Sequence, residues 1–387
     1  VKVVDLTSAV SGPYCTMILG DFGAEVIKVE SPPAGDMNRM AGPFINGESA
    51  YFIYGNRNKK SLTLNLKKEA GRNILLSLVR EADVFVENFR PAVKHRLGID
   101  FETLSKLNPG LIYCSISGFG QEGPWADRPG FDQIAQGMSG LMSVTGTVET
   151  GPTRVGVAMG DSVCGVFAAL GILAALEERR NSGRGQYLET SLLSGLVALL
   201  GFQAAKYFAT GQTPLPQGND HASFAPYGTY QTKDGQINIA VGSDQMWARL
   251  CQALDLGELE KDQRYASVPA RVERKDELRR LMEARLAERT AEEWVDLLAG
   301  QGVASGPIYT IPQVFQDAQV LQQEMLLKAE HPKAGEIDLI GFPIKLSRTP
   351  CRVESPPPCL GQHTQEILNR LGFSDSEIEE LRAEEAI

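Results

Sequence analysis

Asp161 is the residue with the most evident chemical capacity. It stands in Ala158-Met159-Gly160-Asp161-Ser162-Val163-Cys164-Gly165, directly ahead of the apolar run 166–176. An acid at the mouth of a long helix can cap it, and the helix dipole favours its charge. The same carboxylate can attack an activated acyl group and carry it as a covalent intermediate. With an ordinary aspartate pKa near about 4, it is expected to be ionised at neutral pH and to need no general base. That suits a chain with no evident Ser/His/Asp arrangement. Gly160 beside it is expected to leave room for a substrate. On spacing alone the plain helix cap is the commoner use of such an acid, so the neighbouring sequence has to decide.

The elements that must hold this acid alternate along the first 200 residues. Strand-like runs fall at 1–6, 24–30, 62–66, 83–86, 111–116 and 186–190, with helical patterns at 15–20, 68–81, 101–107 and 161–180. Strands separated by helices imply βαβ units and a parallel sheet. The expected division is a large domain over 1–205, a Gly/Pro-rich linker at 206–227, a small domain at 228–320, and a second linker with a C-terminal return at 321–387. Within the small domain, 228–241 reads as a hairpin around Asp234-Gly235. Residues 244–318 read mostly as charged amphipathic helix, including 271–289 and 291–298. Short strands return at 335–350, and 361–385 ends in helix.

Composition narrows the classes of function. There are 38 basic and 48 acidic residues, for a net charge of −10, which argues against a nucleic-acid partner. The six cysteines form no CxxC pair and the four histidines are scattered, so no metal site is expected. Unpaired thiols point to a reduced, cytoplasmic setting. The apolar runs near 166–176 and 192–205 contain Gly, Ser or Gln and are followed by charges, so buried helices fit better than membrane spans. Gly118-Phe119-Gly120-Gln121-Glu122-Gly123 matches GxGxxG, but Pro124 and Pro129 follow where a dinucleotide site needs a helix. Neither a nicotinamide nor a flavin is expected.

Several segments, in order, resemble the class III CoA-transferases (the CaiB/BaiF family). They are Ser11-Gly12-Pro13, Phe22-Gly23-Ala24-Glu25-Val26-Ile27-Lys28-Val29-Glu30, the stretch from Asn56-Arg57-Asn58 to Lys67, Glu87-Asn88-Phe89-Arg90-Pro91, Gly160-Asp161, Gly183-Arg184-Gly185 and Val241-Gly242-Ser243-Asp244-Gln245-Met246-Trp247. The resemblance spans essentially the whole chain. It implies a Rossmann-like large domain, a smaller α+β domain and an interlocked homodimer. It also implies transfer of coenzyme A from an acyl-CoA, with no ATP, to a small carboxylic acid, and makes Asp161 the nucleophile.

The resemblance further implies a CoA site. Val10 and Ser11 approach the thioester, although formyl-CoA transferase has glutamine in place of Val10. Leu64, Asn65, Leu66 and Lys67 line the adenine and phosphates. Asn88, Phe89 and Arg90 follow the pantetheine arm, Arg96 meets a phosphate, and Pro129, Gly130, Phe131 and Asp132 flank the cofactor. An arginine that formyl-CoA transferase carries after the second strand is absent here; Arg39 is the available substitute. His221 is left open between an exposed loop residue and a contributor to the acyl pocket. His363 reads as a structural cap.

Two other readings stand beside the transferase. An α-methylacyl-CoA racemase of the same fold needs a histidine base where this chain has Phe131, and phenylalanine cannot carry a proton. A CoA-binding protein without turnover would form no acyl-enzyme. Among transferases, 219–227 and 360–364 most resemble members acting on dicarboxylic acids, of the succinyl-CoA:glutarate or hydroxymethylglutarate type.

Overall fold

Short runs rich in β-branched residues, such as Val3-Val4 and Val26-Ile27, pair side by side to make the central layer. A computed structural model describes all residues, 1–387. Six strands, β1 (Lys2–Asp5), β2 (Glu25–Glu30), β3 (Lys59–Thr63), β4 (Val84–Glu87), β5 (Ile112–Ser117) and β6 (Tyr187–Ser191), lie in the order β3-β2-β1-β4-β5-β6. Every neighbouring pair is parallel, with Val4 opposite both Ile27 and Phe85. This is the strand order of the dinucleotide-binding Rossmann sheet. Its order reverses between β1 and β4, so the crevice beyond the carboxyl ends of those two strands is the expected ligand site.

Side chains alternate across each strand, so the sheet feeds two cores. Val3, Val26, Val84 and Cys114 pack with Cys15 and Leu19 of α1 (Ser11–Asp21), Ala135 of α2 (Asp132–Met138), and Ala168 and Ile172 of α3 (Met159–Ser182). On the opposite face Val4, Ile27, Phe85 and Tyr113 meet Ile74, Leu75 and Leu78. Ile367, Leu368, Ile378 and Leu381 of the last two helices join the same core.

Two compact units are present. The first comprises Val1–Met142, Arg154–Gly211 and Gln319–Ile387; the second comprises Ser143–Thr153 and Gln212–Ala318. The loop 143–153, which falls inside the expected large domain, thus groups with the second unit, and residues 206–210 of the expected linker are still helix. In the second unit, β7 (Tyr227–Gln231), β8 (Gln236–Ala240) and β9 (Ala304–Pro307) form an antiparallel sheet, with Trp247, Leu278, Met282 and Trp294 in its core.

Several local expectations shift for visible reasons. β3 runs three residues earlier than 62–66, because Asn65 N–H leaves the sheet and donates to Ala386 O at 2.8 Å. The expected helix 271–289 is two helices, Val268–Glu273 and Lys275–Leu286. Arg271 there is fully buried and bonds Ala225 O, Tyr265 O and Asp244. Ala304–Pro307, expected as helix, is the strand beside β8. GxGxxG leads into turns after β5, and Gly118 and Gly130 pack so closely that a Cβ on either would lie 2.6 Å from the other's Cα.

Candidate active site

Asp161 lies in the first turn of α3 and does not cap it. Ala158 occupies the N-cap position, and no side chain of the helix's own start takes up the free amides. Asp132 from α2 does so: its Oδ1 accepts the Gly160 N–H at 2.7 Å, while Oδ2 accepts from Gln136 Nε2 at 2.7 Å. The capping task is thereby met by another element, and the half-buried Asp161 carboxylate is left facing a cavity. Gly160 also differs from expectation. A Cβ there would lie 3.1 Å from both Asp132 Oδ1 and Leu196 Cδ1, so its small size serves packing rather than substrate access.

The electrostatics of Asp161 depart from those of an ordinary aspartate. Burial, then the nearby Asp132 charge, push its pKa up to about 6, while hydrogen bonds from the Ser11 hydroxyl and amide pull it down. It remains mostly ionised at neutral pH. Ser11 can come this close because α1 and α3 touch at Gly165, where a Cβ would fall 2.7 Å from Ser11 O.

The cavity facing Asp161 has a volume of about 500 Å³. Val10, Ser11, Asn88, Phe89, Arg90, Pro129, Gly130 and Phe131 are all in its wall. A second cavity of about 620 Å³ is lined by Leu64, Asn65, Leu66, Lys67 and Arg96. Ser8 and Phe89 belong to both walls. Predicted residues that follow β1, β3, β4 and β5 therefore line two cavities whose shared wall, Ser8 and Phe89, lies beyond the carboxyl ends of β1 and β4. Phe131 is 61% exposed and lines the cavity, whereas Asp132 is buried and does not line it.

Individual chemistry follows from these places. Lys67 and Arg96 are exposed and have no acidic partner in the protein, a disposition suited to an anionic ligand. Leu64 is fully buried at the cavity floor. The side chain of Asn65 is engaged, donating to Glu385 O at 3.0 Å and accepting the Lys67 N–H. Asn88 grips the backbone of Ser8 at both ends, accepting its N–H at 3.1 Å and donating to its O at 2.8 Å.

A family profile described as CoA-transferase family III matches residues 1–364. The chain belongs to that family. This transferase is 42% identical over 98% of its length to succinyl-CoA:glutarate CoA-transferase of Mus musculus, covering 88% of that protein. It is 39% identical over 96% of its length to succinate–glutarate CoA-transferase of Agrobacterium fabrum, covering 94% of it. Among solved structures, a CaiB/BaiF family protein from Brucella suis superposes with a TM-score of 0.86 at 38% identity, covering 96% of this chain and 98% of that one.

Within the transferase, Arg39 does not take over as a cavity cation. It forms a two-pronged pair with Glu30, at 2.7 and 2.8 Å, and stacks 3.5 Å above the Phe52 ring. His221 belongs to the second unit, where its Nδ1 accepts the Ser223 N–H at 3.0 Å and its ring packs on Phe224 and Tyr227. His363 supplies no cap of its own helix; its Nδ1 accepts the Ser61 N–H at 3.1 Å and ties the C-terminal helices to β3.

Sequence reasoning missed Met37, Asn38, Ser117, Arg128 and Leu192, all in the wall around Asp161. Arg128 immediately precedes the Pro129-Gly130 pair that was found, and its guanidinium lies 3.8 Å over Trp125. A cation next to a recognised loop was the available signal. For Asn38 there was none, because the Pro32-Pro33 and Gly35-Asp36 turn signals do not say that the chain folds back on Ala9.

Proposed function

We propose that this transferase moves coenzyme A from an acyl-CoA donor, with succinyl-CoA the preferred candidate, to a free dicarboxylic acid through covalent intermediates on Asp161. The observation that carries the reading is the half-buried Asp161 carboxylate in the wall of a cavity whose other predicted residues are those of a CoA site. Its oxygen attacks the thioester carbonyl, the C–S bond breaks, and CoA thiolate leaves a mixed anhydride. The thiolate then attacks the aspartyl carbonyl, releasing the donor acid and giving an aspartyl-CoA thioester. The acceptor carboxylate opens that thioester to a second anhydride, and the thiolate finally attacks the acceptor's carbonyl and frees Asp161. Each step exchanges one acyl bond for another, so no ATP and no general base are needed. Backbone N–H groups near Asp161 would stabilise the developing oxyanions.

CoA would lie across the two cavities. Lys67 and Arg96 would hold phosphates, the apolar wall of Leu64 and Leu66 would take the adenine, and Phe89, common to both cavities, would flank the pantetheine arm. Arg90 and Arg128, both without acidic partners, add positive charge to the wall of the same cavity and support a substrate with a second carboxylate. The relatives named for succinyl-CoA with glutarate, D-citramalate or mesaconate support the same class. We also propose that the active form is an interlocked homodimer, because α3 leaves Val166, Phe167, Leu170 and Leu173 exposed along one apolar face.

The mechanism is tested by mass spectrometry after incubation with succinyl-CoA and hydroxylamine. A hydroxamate on the Asp161 peptide is expected, absent in Asp161→Asn. An unmodified peptide across a panel of good donors would remove the covalent route. Activity confined to monocarboxylate acceptors would remove the dicarboxylate assignment.

A further inference from the structure

Beneath the Asp161 cavity lies a set of buried charges that the transfer steps do not use. After β1 the chain passes Thr7, Ser8 and Ala9 before α1 begins at Ser11. Ala9 has φ +70°, a left-handed conformation that a residue with a Cβ avoids unless its surroundings impose it. Polar contacts impose it from two sides. Asp36 Oδ1 accepts the Ser8 hydroxyl and the Ala9 N–H, each at 3.0 Å, and Asn38 Nδ2 donates to Ala9 O at 2.6 Å. Asn88 holds the Ser8 backbone from the β4 side.

Asp36 is itself fixed from below. It is 3% exposed, and its Oδ2 pairs at 2.8 Å with Lys28 Nζ, which is wholly buried and donates to Thr7 O at 2.7 Å. Lys28 therefore ties β2, the Asp36 loop and the chain leaving β1 into one rigid unit. The turn at Ala9 sets the direction of α1, whose first residue, Ser11, lines the same cavity as Asp161 and offers its amide and hydroxyl to that carboxylate where α1 and α3 meet at Gly165.

We propose that Asp36 is a positioning residue of the transfer reaction, which holds Ala9 left-handed and so fixes how the Ser11 amide and hydroxyl meet the Asp161 carboxylate. The inference rests on the reading of Asp161 as the reacting group. If Ala9 relaxed to negative φ, the start of α1 would turn away and Asp161 would lose both donors. The other groups facing that carboxylate are Asp132 on α2, Cys164 one turn along α3, and Tyr54 on the helix Ala50–Gly55. None of them would replace the lost Ser11 bonds, and the Asp132 charge opposes ionisation.

The test uses Asp36→Asn, which keeps the shape and one acceptor but removes the charge. Expected is a fall in kcat of about tenfold to a hundredfold, the scale of a misplaced catalytic group. The acid limb of kcat should move to higher pH. Ala9→Gly is then added in the Asp36→Asn background. Glycine enters the left-handed region freely, so most of the lost kcat should return, with the acid limb restored.

A role limited to the Lys28 ion pair predicts no rescue by glycine, and that result would overturn the proposal. So would a wild-type kcat and pH profile in Asp36→Asn. Should Asp36→Asn fail to fold because Lys28 is left unpaired, Asn38→Ala with and without Ala9→Gly makes the same comparison. Asp161→Asn, measured in parallel, separates the two claims. Turnover retained there removes the Asp161 reading, whereas turnover lost there with no glycine rescue removes only the positioning role.

Discussion

At Asp161, burial and the Asp132 carboxylate push the proton affinity up, and the Ser11 bonds pull it down, leaving a pKa of about 6. The ionised form is the nucleophile, so kcat/KM should rise with pH through about 6 and level off above it. Asp132→Asn removes the like charge but keeps an oxygen for the Gly160 N–H. The acid limb of kcat/KM should then move to lower pH; an unmoved limb would mean that the Asp132 charge does not raise it. At this scale the sequence identifies residue types well and their partners poorly. Asp161, Ser11 and Phe131 were legible because motifs carry them. The Asp132–Gly160 bond was not, because it joins positions 28 apart. Asp161 read as a cap for the same reason, since a sequence cannot say that another element already satisfies the helix.

At the scale of elements, the approach of α1 to α3 decides whether Ser11 reaches Asp161. Gly165 permits it, with no room for a methyl against Ser11 O. Gly165→Ala should push the helices apart and destabilise the fold by about 1–3 kcal/mol, as overpacking does. Urea unfolding would measure that loss, and kcat should fall in the protein that remains folded. Unchanged stability would show that the contact relaxes at no penalty. The parallel strands were legible from their β-branched runs and the helices between them. β3 was misplaced because Asn65 turns to the C-terminal residues, and the 271–289 helix broke because Arg271 is drawn into the second unit's core. Hydrophobic periodicity carries no record of either bond.

For the whole molecule, α3 is the unusual part. Its 24 residues are long and apolar enough to cross a membrane by length and composition, yet Cys164, Ala168, Ala169, Ile172 and Ala175 face the core. The opposite side stays exposed at Val166, Phe167, Leu170 and Leu173, so the buried helix expected from sequence is buried on one side only. A second copy of the chain covering that face should give a dimer by light scattering, and Leu170→Glu should weaken it by placing a charge in an apolar contact. A wild-type monomer at assay concentration would reject the dimer. By itself the sequence determined the chemistry available and the order of elements: the helix-opening acid, the alternating strands, the acidic balance and the motifs of a CoA-transferase are all local patterns. Only the tertiary structure decided what that chemistry faces. The β3-β2-β1-β4-β5-β6 order brings the ends of β1 and β4 together, Asp132 rather than Asp161 caps α3, and buried Lys28 and Asp36 hold the turn beneath the site. These arrangements depend on contacts between residues far apart in the chain, whose geometry exists only once the sheet has closed around them.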